Sequence, residues 1–263
     1  MKTIIKIRKL GIVFALLFSG LMYSQSYIET TYLDVPATKI NRFVELHKMV
    51  VDMSQGEDRT NNAHWVYRHW YGSGESIVLN DIYSSSEDAI KDNFRGAFNK
   101  NIEALSEKEK NEMQDVFSEW WSFFQGHWDE LRVINFDKYF LEKENVDWDQ
   151  PFVLVVGHYN SNGSLSKMGD AYMDWQIKPG VNEGLMMGGG ASVHYKGSGS
   201  DVQFFSSYEN IMDFAKSVSS QGSDNAEARK TFWNMVSGSH KDQIYVHIGH
   251  TEEGKFNLAG KDK

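Results

Sequence analysis

Two of the nine histidines head nearly identical runs. His69 opens HWYGSGE (69–75) and His194 opens HYKGSGS (194–200), 125 positions apart (194 − 69). An imidazole titrates near neutrality, so a histidine held among aromatic side chains can take or give a proton. Strand alternation places Trp65, Tyr67, His69 and Tyr71 on one face, and Ser192, His194 and Lys196 on the matching face of the second run. That face is the more polar in both copies. If the apolar face meets helices, the histidines point into an enclosed interior lined by Trp65 and Tyr67, as small-ligand sites are. The competing reading is a pair of inherited structural histidines bonded to strand neighbours.

Other histidines offer less. His127-x-Asp129 and His240-x-Asp242 could be carboxylate-oriented imidazoles. Each follows a glycine expected to end a helix, Gly126 and Gly238, where a histidine simply suits the helix dipole. His158, His194, His247 and His250 cluster in the second half, but strand alternation separates His247 from His250, and no H-E-x-x-H or cysteine set accompanies them. No metal ligand is therefore assigned, and the cofactor stays unknown. No G-x-S-x-G elbow is present.

The elements that must position these residues can be read outward. AHWVYRHWY (63–71) and SIVLNDIYS (76–84) read as strands joined by a glycine-containing turn, and GASVHYK (190–196) and DVQFFSSY (201–208) repeat the pattern. Gly72, Gly74, Gly197 and Gly199 are expected to supply positive φ angles. A strand rather than a helix follows the glycines, which excludes a phosphate loop. Helices are predicted after capping signals at Ser85 and Ser106, and before the hairpin from Ile40 to Val51. At an offset of 112, Trp120 falls on Phe232 and Trp121 on Trp233. Each half thus reads strand–helix–hairpin–helices–strand, βαββαβ, the ferredoxin-like order. The expected divisions are residues 25–135, a linker at 136–150 without a clear element, 151–250, and a polar tail at 251–263; 178–190 reads as a glycine-rich loop.

Lys2, Lys6, Arg8 and Lys9 precede the 13-residue apolar run Leu10–Met22, with small residues after it. This reads as a secretory signal peptide over residues 1–24, too short to span a bilayer, and predicts export to the periplasm or beyond. Its removal leaves a formal charge of 23 − 36 = −13. Such acidity argues against nucleic acid and anionic lipid as partners. There is no cysteine, so stability must come from the core, to which 8 Trp, 12 Tyr and 16 Phe contribute.

Two βαββαβ halves in one chain resemble the dimeric α/β-barrel superfamily in tandem form. The resemblance rests on element order and the internal repeat, and implies an α+β fold whose antiparallel sheets enclose a ligand pocket. It carries over no catalytic residue. The expected function is binding of a small apolar or aromatic molecule. If the protein is an enzyme, a cofactor-light oxygenase or isomerase is expected, with His69 or His194 moving a proton and Trp65, Tyr67, Tyr71, Ser192 and Lys196 lining the pocket. The alternatives are a non-catalytic interaction protein with a filled barrel, and a haem- or metal-binding barrel.

Overall fold

In a computed structural model that describes residues 25–220 and 225–260, the two glycine links are hairpin turns. The expected signal segment lies outside the described residues. Strands β1 (Ser26–Leu33), β2 (Ala63–Gly72), β3 (Ile77–Tyr83) and β4 (Trp128–Ile134) form one half. Strands β6 (Val153–Ser161), β7 (Gly188–Gly197), β8 (Val202–Tyr208) and β9 (Val236–Glu252) form the other. The order is β9-β2-β3-β1-β4-β7-β8-β6, and β6 pairs back onto β9, so an eight-stranded antiparallel barrel closes. Within each half the order is second–third–first–fourth strand. Closure leaves the long strands no open edge.

The pleat sorts side chains into two sets. Outward residues Leu33, Val66, Ile77 and Leu79 pack under helix α1 (Ile40–Met53), whose Ile40, Phe43, Leu46 and Val50 recur at helical spacing on its buried side. Helices α2 (Ser86–Lys91), α3 (Phe94–Ile102) and α4 (Glu107–Trp121) complete this layer. Over the second half lie α6 (Leu165–Tyr172), a π-helical turn at 173–177, α7 (Lys178–Asn182), α8 (Ile211–Ser220) and α9 (Ala226–Trp233). Their core is Met168, Val202, Phe204 and Phe232. The repeat read from sequence is matched in burial: Trp120 and Phe232 are buried, while Trp121 and Trp233 are exposed.

Ser106 caps α4 through a reciprocal capping box with Glu109. Ser106→Ala is expected to cost about 1 kcal/mol, read as a lowered urea midpoint at unchanged slope.

Several local expectations are corrected. The linker is not featureless: Phe136–Tyr139 forms a short helix, α5, and Phe140–Glu142 a strand, β5, that pairs with β7. The glycine-rich segment is not one loop. Lys178–Asn182 is helical, and Gly188–Gly190 are strand, where a Cβ on Gly190 would stand 2.1 Å from the Tyr139 carbonyl oxygen. Gly238 does not end α9 but lies within β9. The polar tail contains β10 (Lys255–Leu258), beside the part of β9 that β6 leaves free, and Phe256 is fully buried in the α1 layer. Only one glycine of each turn has positive φ, Gly72 (+98) and Gly197 (+94). Gly74 and Gly199 are needed for close approach: a Cβ would fall 2.0 Å from Gln243 Nε2 and 2.0 Å from Glu130 Oε2 respectively.

Candidate functional site in the barrel interior

The inward face gathers Tyr32, Tyr67, Val78, Phe152, Leu154, Met187 and Tyr245, with Trp65, Trp128 and Phe205 against them. Trp65 and Tyr67 thus occupy the interior, and His69 follows on the same face, its ring 5.7 Å from that of Tyr245 in an edge contact. His69 Nε2 and the Tyr245 hydroxyl are both buried and have no hydrogen-bond partner; nor has Asn80 Oδ1, on the inward face of β3. Burial pushes the Tyr245 hydroxyl well up the scale, so it stays protonated and keeps a proton to donate.

The other expected lining residues fare differently. Ser192 is buried, but its hydroxyl accepts from Arg132 Nε at 2.9 Å. His194 sits nearer the rim, its Nε2 3.1 Å from the Gly197 carbonyl of its own hairpin. Tyr71 is 73 % exposed and Lys196 is exposed, so neither lines the interior. A bulge precedes each: the register steps from His69–Tyr245 to Tyr71–Ile244 and from His194–Arg132 to Lys196–Leu131, which turns both side chains to the outer face, and alternation alone could not reveal it.

Toward the turn end of the barrel lies a polar network. Glu130 and Arg132 form a fully buried ion pair at 2.7 Å. Tyr32 donates to Glu130 Oε1 at 2.7 Å, and Gln203 Nε2 reaches the same oxygen at 2.5 Å. Gln203 Nε2 also lies 3.2 Å from His158 Nδ1, and His158 Nε2 lies 2.7 Å from Gln243 Oε1. Burial lowers the His158 pKa, which favours the neutral ring. Tyr32 stacks on Trp128 at 3.8 Å, and the Trp128 indole donates to Glu75. Glu130 and Arg132 correspond in position to Gln243 and Tyr245 (130 + 113 = 243, 132 + 113 = 245), and Tyr32, which pairs with Val78 and Trp128, corresponds to His158, which pairs with Gln203 and Lys241. The second half therefore carries Gln243 and Tyr245 where the first carries a salt bridge. Sequence reading singled out neither Glu130 nor Arg132; alternation along HWDELRVINF puts them on one face, but nothing local shows that this face looks inward.

His127 and His240 do bond their neighbours: Nε2–Oδ2 distances are 3.3 Å to Asp129 and 3.1 Å to Asp242. His127 Nδ1 also meets the Phe124 carbonyl near the end of α4, in keeping with a terminus-stabilising role. His247 and His250, expected on opposite faces, lie together, with Nε2 and Nδ1 3.3 Å apart. A bulge in the β2–β9 register, where Val66 faces Gly249 but Tyr67 faces His247, inserts one residue and turns both rings to one side.

No protein-family model matches the sequence, and no curated protein matches it. Solved structures share the fold. An anthrone oxidase-like protein superposes with TM-score 0.57 at 14% identity, over 91% of this chain and 97% of that one. Monooxygenase-like proteins from Fusobacterium nucleatum subsp. nucleatum (0.56, 10% identity, 89% and 97% covered) and Lactobacillus acidophilus NCFM (0.51, 10%, 90% and 97%) do likewise. The fold is thus a mixed α+β barrel of the dimeric α/β-barrel type, written in one chain. No helix among the described residues is long and apolar enough to cross a membrane.

Proposed function

We propose that the protein binds a small planar aromatic compound bearing an acidic hydroxyl or C–H, inside a barrel made of two fused ferredoxin-like modules, and that it acts after export. The observation that carries the reading is a pair of buried, unpartnered polar atoms, His69 Nε2 and the Tyr245 hydroxyl, on rings that neighbour each other across β2 and β9 within an aromatic shell. A folded protein seldom leaves such atoms without partners. A ligand oxygen between them would serve both. His69 Nε2 accepts its proton, and Tyr245 donates to the oxygen left negative. The anion so formed is what an isomerase reprotonates at another carbon, and what a cofactor-light oxygenase presents to dioxygen. The shared strand order of the halves and the equivalent polar pairs support the fused-module reading, and the fold relatives named for oxidation fit an oxygenase.

The test is binding and oxygen uptake against a panel of phenols, anthrones and naphthols. His69→Gln and Tyr245→Phe are each expected to weaken binding at least tenfold. Tyr245→Phe removes an unsatisfied buried hydroxyl, so it is expected to leave the melting temperature unchanged or raise it. Equal binding by both variants and the parent protein would remove the site.

A second reading, a filled barrel without ligand, is favoured by the network around Gln203, whose members satisfy one another. It predicts that His69→Gln changes stability alone and that no compound shifts the melting temperature.

A further inference from the structure

At the opposite end of the barrel from the hairpin turns, Asp149, His250 and Glu252 offer one ligand atom each, and all three atoms lie within 4.8 Å of one another. Asp149 comes from the linker ahead of β6, while His250 and Glu252 share one face near the end of β9. The three were not paired by sequence reasoning because Asp149 lies about a hundred residues (250 − 149) before the strand it meets.

Hydrogen-bond direction gives a second, independent reason to look here. His247 Nδ1 lies 3.1 Å from the Gln150 carbonyl oxygen, which can only accept, so that nitrogen carries the proton. With the proton on Nδ1, the Nε2 of the neutral His247 ring is an acceptor. His250 Nδ1, 3.3 Å from it, must then be the donor. In a neutral His250 this leaves the Nε2 lone pair aimed at Asp149 Oδ1, 3.3 Å away. A lone pair facing a carboxylate is repelled unless a proton or a metal cation stands between them, and a cation there also meets Glu252. The Trp65 ring, stacked on His250 at 4.5 Å, and Phe152, stacked on His247 at 4.6 Å, hold both imidazoles in place. A ring whose far N–H is fixed by a chain ending on a backbone carbonyl is the support that metal-binding histidines ordinarily have.

We propose that His250 Nε2 and the carboxylates of Asp149 and Glu252 bind a divalent transition-metal ion, with zinc as its best representative. One imidazole and two carboxylates suit a borderline ion better than magnesium or calcium, which prefer all-oxygen sets. Water would complete the coordination on the exposed side of Glu252. Because Asp149 belongs to the linker, the ion also ties the linker to β9, next to Trp148 and Trp65 at the barrel end.

Chelator-treated, tag-free protein titrated with zinc chloride is expected to show one site per chain by calorimetry and a raised melting temperature, with magnesium giving neither. Asp149→Asn and His250→Gln are each expected to weaken zinc binding at least tenfold. Asp149 is partly exposed, so its variant keeps the test open should His250→Gln fold poorly. Absence of zinc binding by the unaltered protein, or binding of equal strength by Asp149→Asn, would overturn the proposal. So would nitrogen NMR showing His250 doubly protonated at pH 7.5 in the presence of zinc, because an imidazolium bonded to Asp149 leaves no lone pair for a metal.

Discussion

Arg132→Tyr alone is expected to cost about 3–5 kcal/mol, and Glu130→Gln alone to fall in the same range, while the double substitution loses far less than the sum. Both side chains are fully buried, and removing either partner strands a charge in the barrel. Arg132 also donates to Ser192 Oγ and to the carbonyls of Ser192 and Ser200, so an orphaned guanidinium is held in place rather than free to turn outward. The double variant installs what the second half already uses at equivalent positions, Gln243 and Tyr245. There Gln243 Oε1 meets His158, and its Nε2 donates to the Ser73 carbonyl. A glutamine at 130 has Tyr32 and the corresponding turn, near Ser198, in the same relation. Urea denaturation of the four proteins measures the cycle. Additive losses would show that the pair is not coupled and that the halves are not interchangeable at this layer.

The second large effect is expected in the helix layer. Asp81, His64, His47 and Trp120 form a chain in which every proton is placed by direction. The Trp120 indole donates to His47 Nδ1 at 3.0 Å, so neutral His47 donates from Nε2 to His64 Nε2 at 2.8 Å. His64 then donates from Nδ1 to Asp81 at 3.1 Å. His47→Leu leaves the indole N–H and His64 Nε2 buried without partners, at about 1–3 kcal/mol each, and is expected to cost about 3–5 kcal/mol in all. His47→Gln, which keeps an acceptor and a donor, is expected to lose less.

The same chain gives stability a pH dependence. Burial, and then the neighbouring His64, hold His47 well below the ordinary histidine value of 6.5. In the unfolded chain that ring takes up a proton as pH falls below about 6.5, and the native state does not, so stability is lost on acidification through this window. His158, His247 and His250, also lowered by burial, act in the same sense. Glu29 opposes them: burial, then Asp81, Asp129 and Asp92, push its carboxyl up to about 7, so it favours the native state as pH falls. Four rings against one carboxyl predict a net fall in the urea midpoint between pH 7 and pH 5. Glu29→Gln should steepen it, and His47→Gln should flatten it. A midpoint that rises across this range would contradict the assignment.

By itself the sequence determined both hairpins and most of the other elements. Alternation and glycine placement marked both hairpins, because a pleated strand exposes its pattern at period two. Apolar spacing marked α1 and α4, and the inward face of β2 was legible as the face of Trp65, Tyr67 and His69. Long-range pairing was not legible. Gln203 meets Glu130 across 73 positions, and Asp149 meets His250 across about a hundred, and nothing local records either contact. The bulge that turns His247 and His250 to one side also depends on the partner strand, since a bulge is a property of the pair. Nor could spacing show that bulges turn Tyr71 and Lys196 to the outer face, or that Gly74 and Gly199 are small for the sake of Gln243 and Glu130. Those facts were decided when eight strands closed on one another, because closure alone sets which ends meet and which side chains must share one interior.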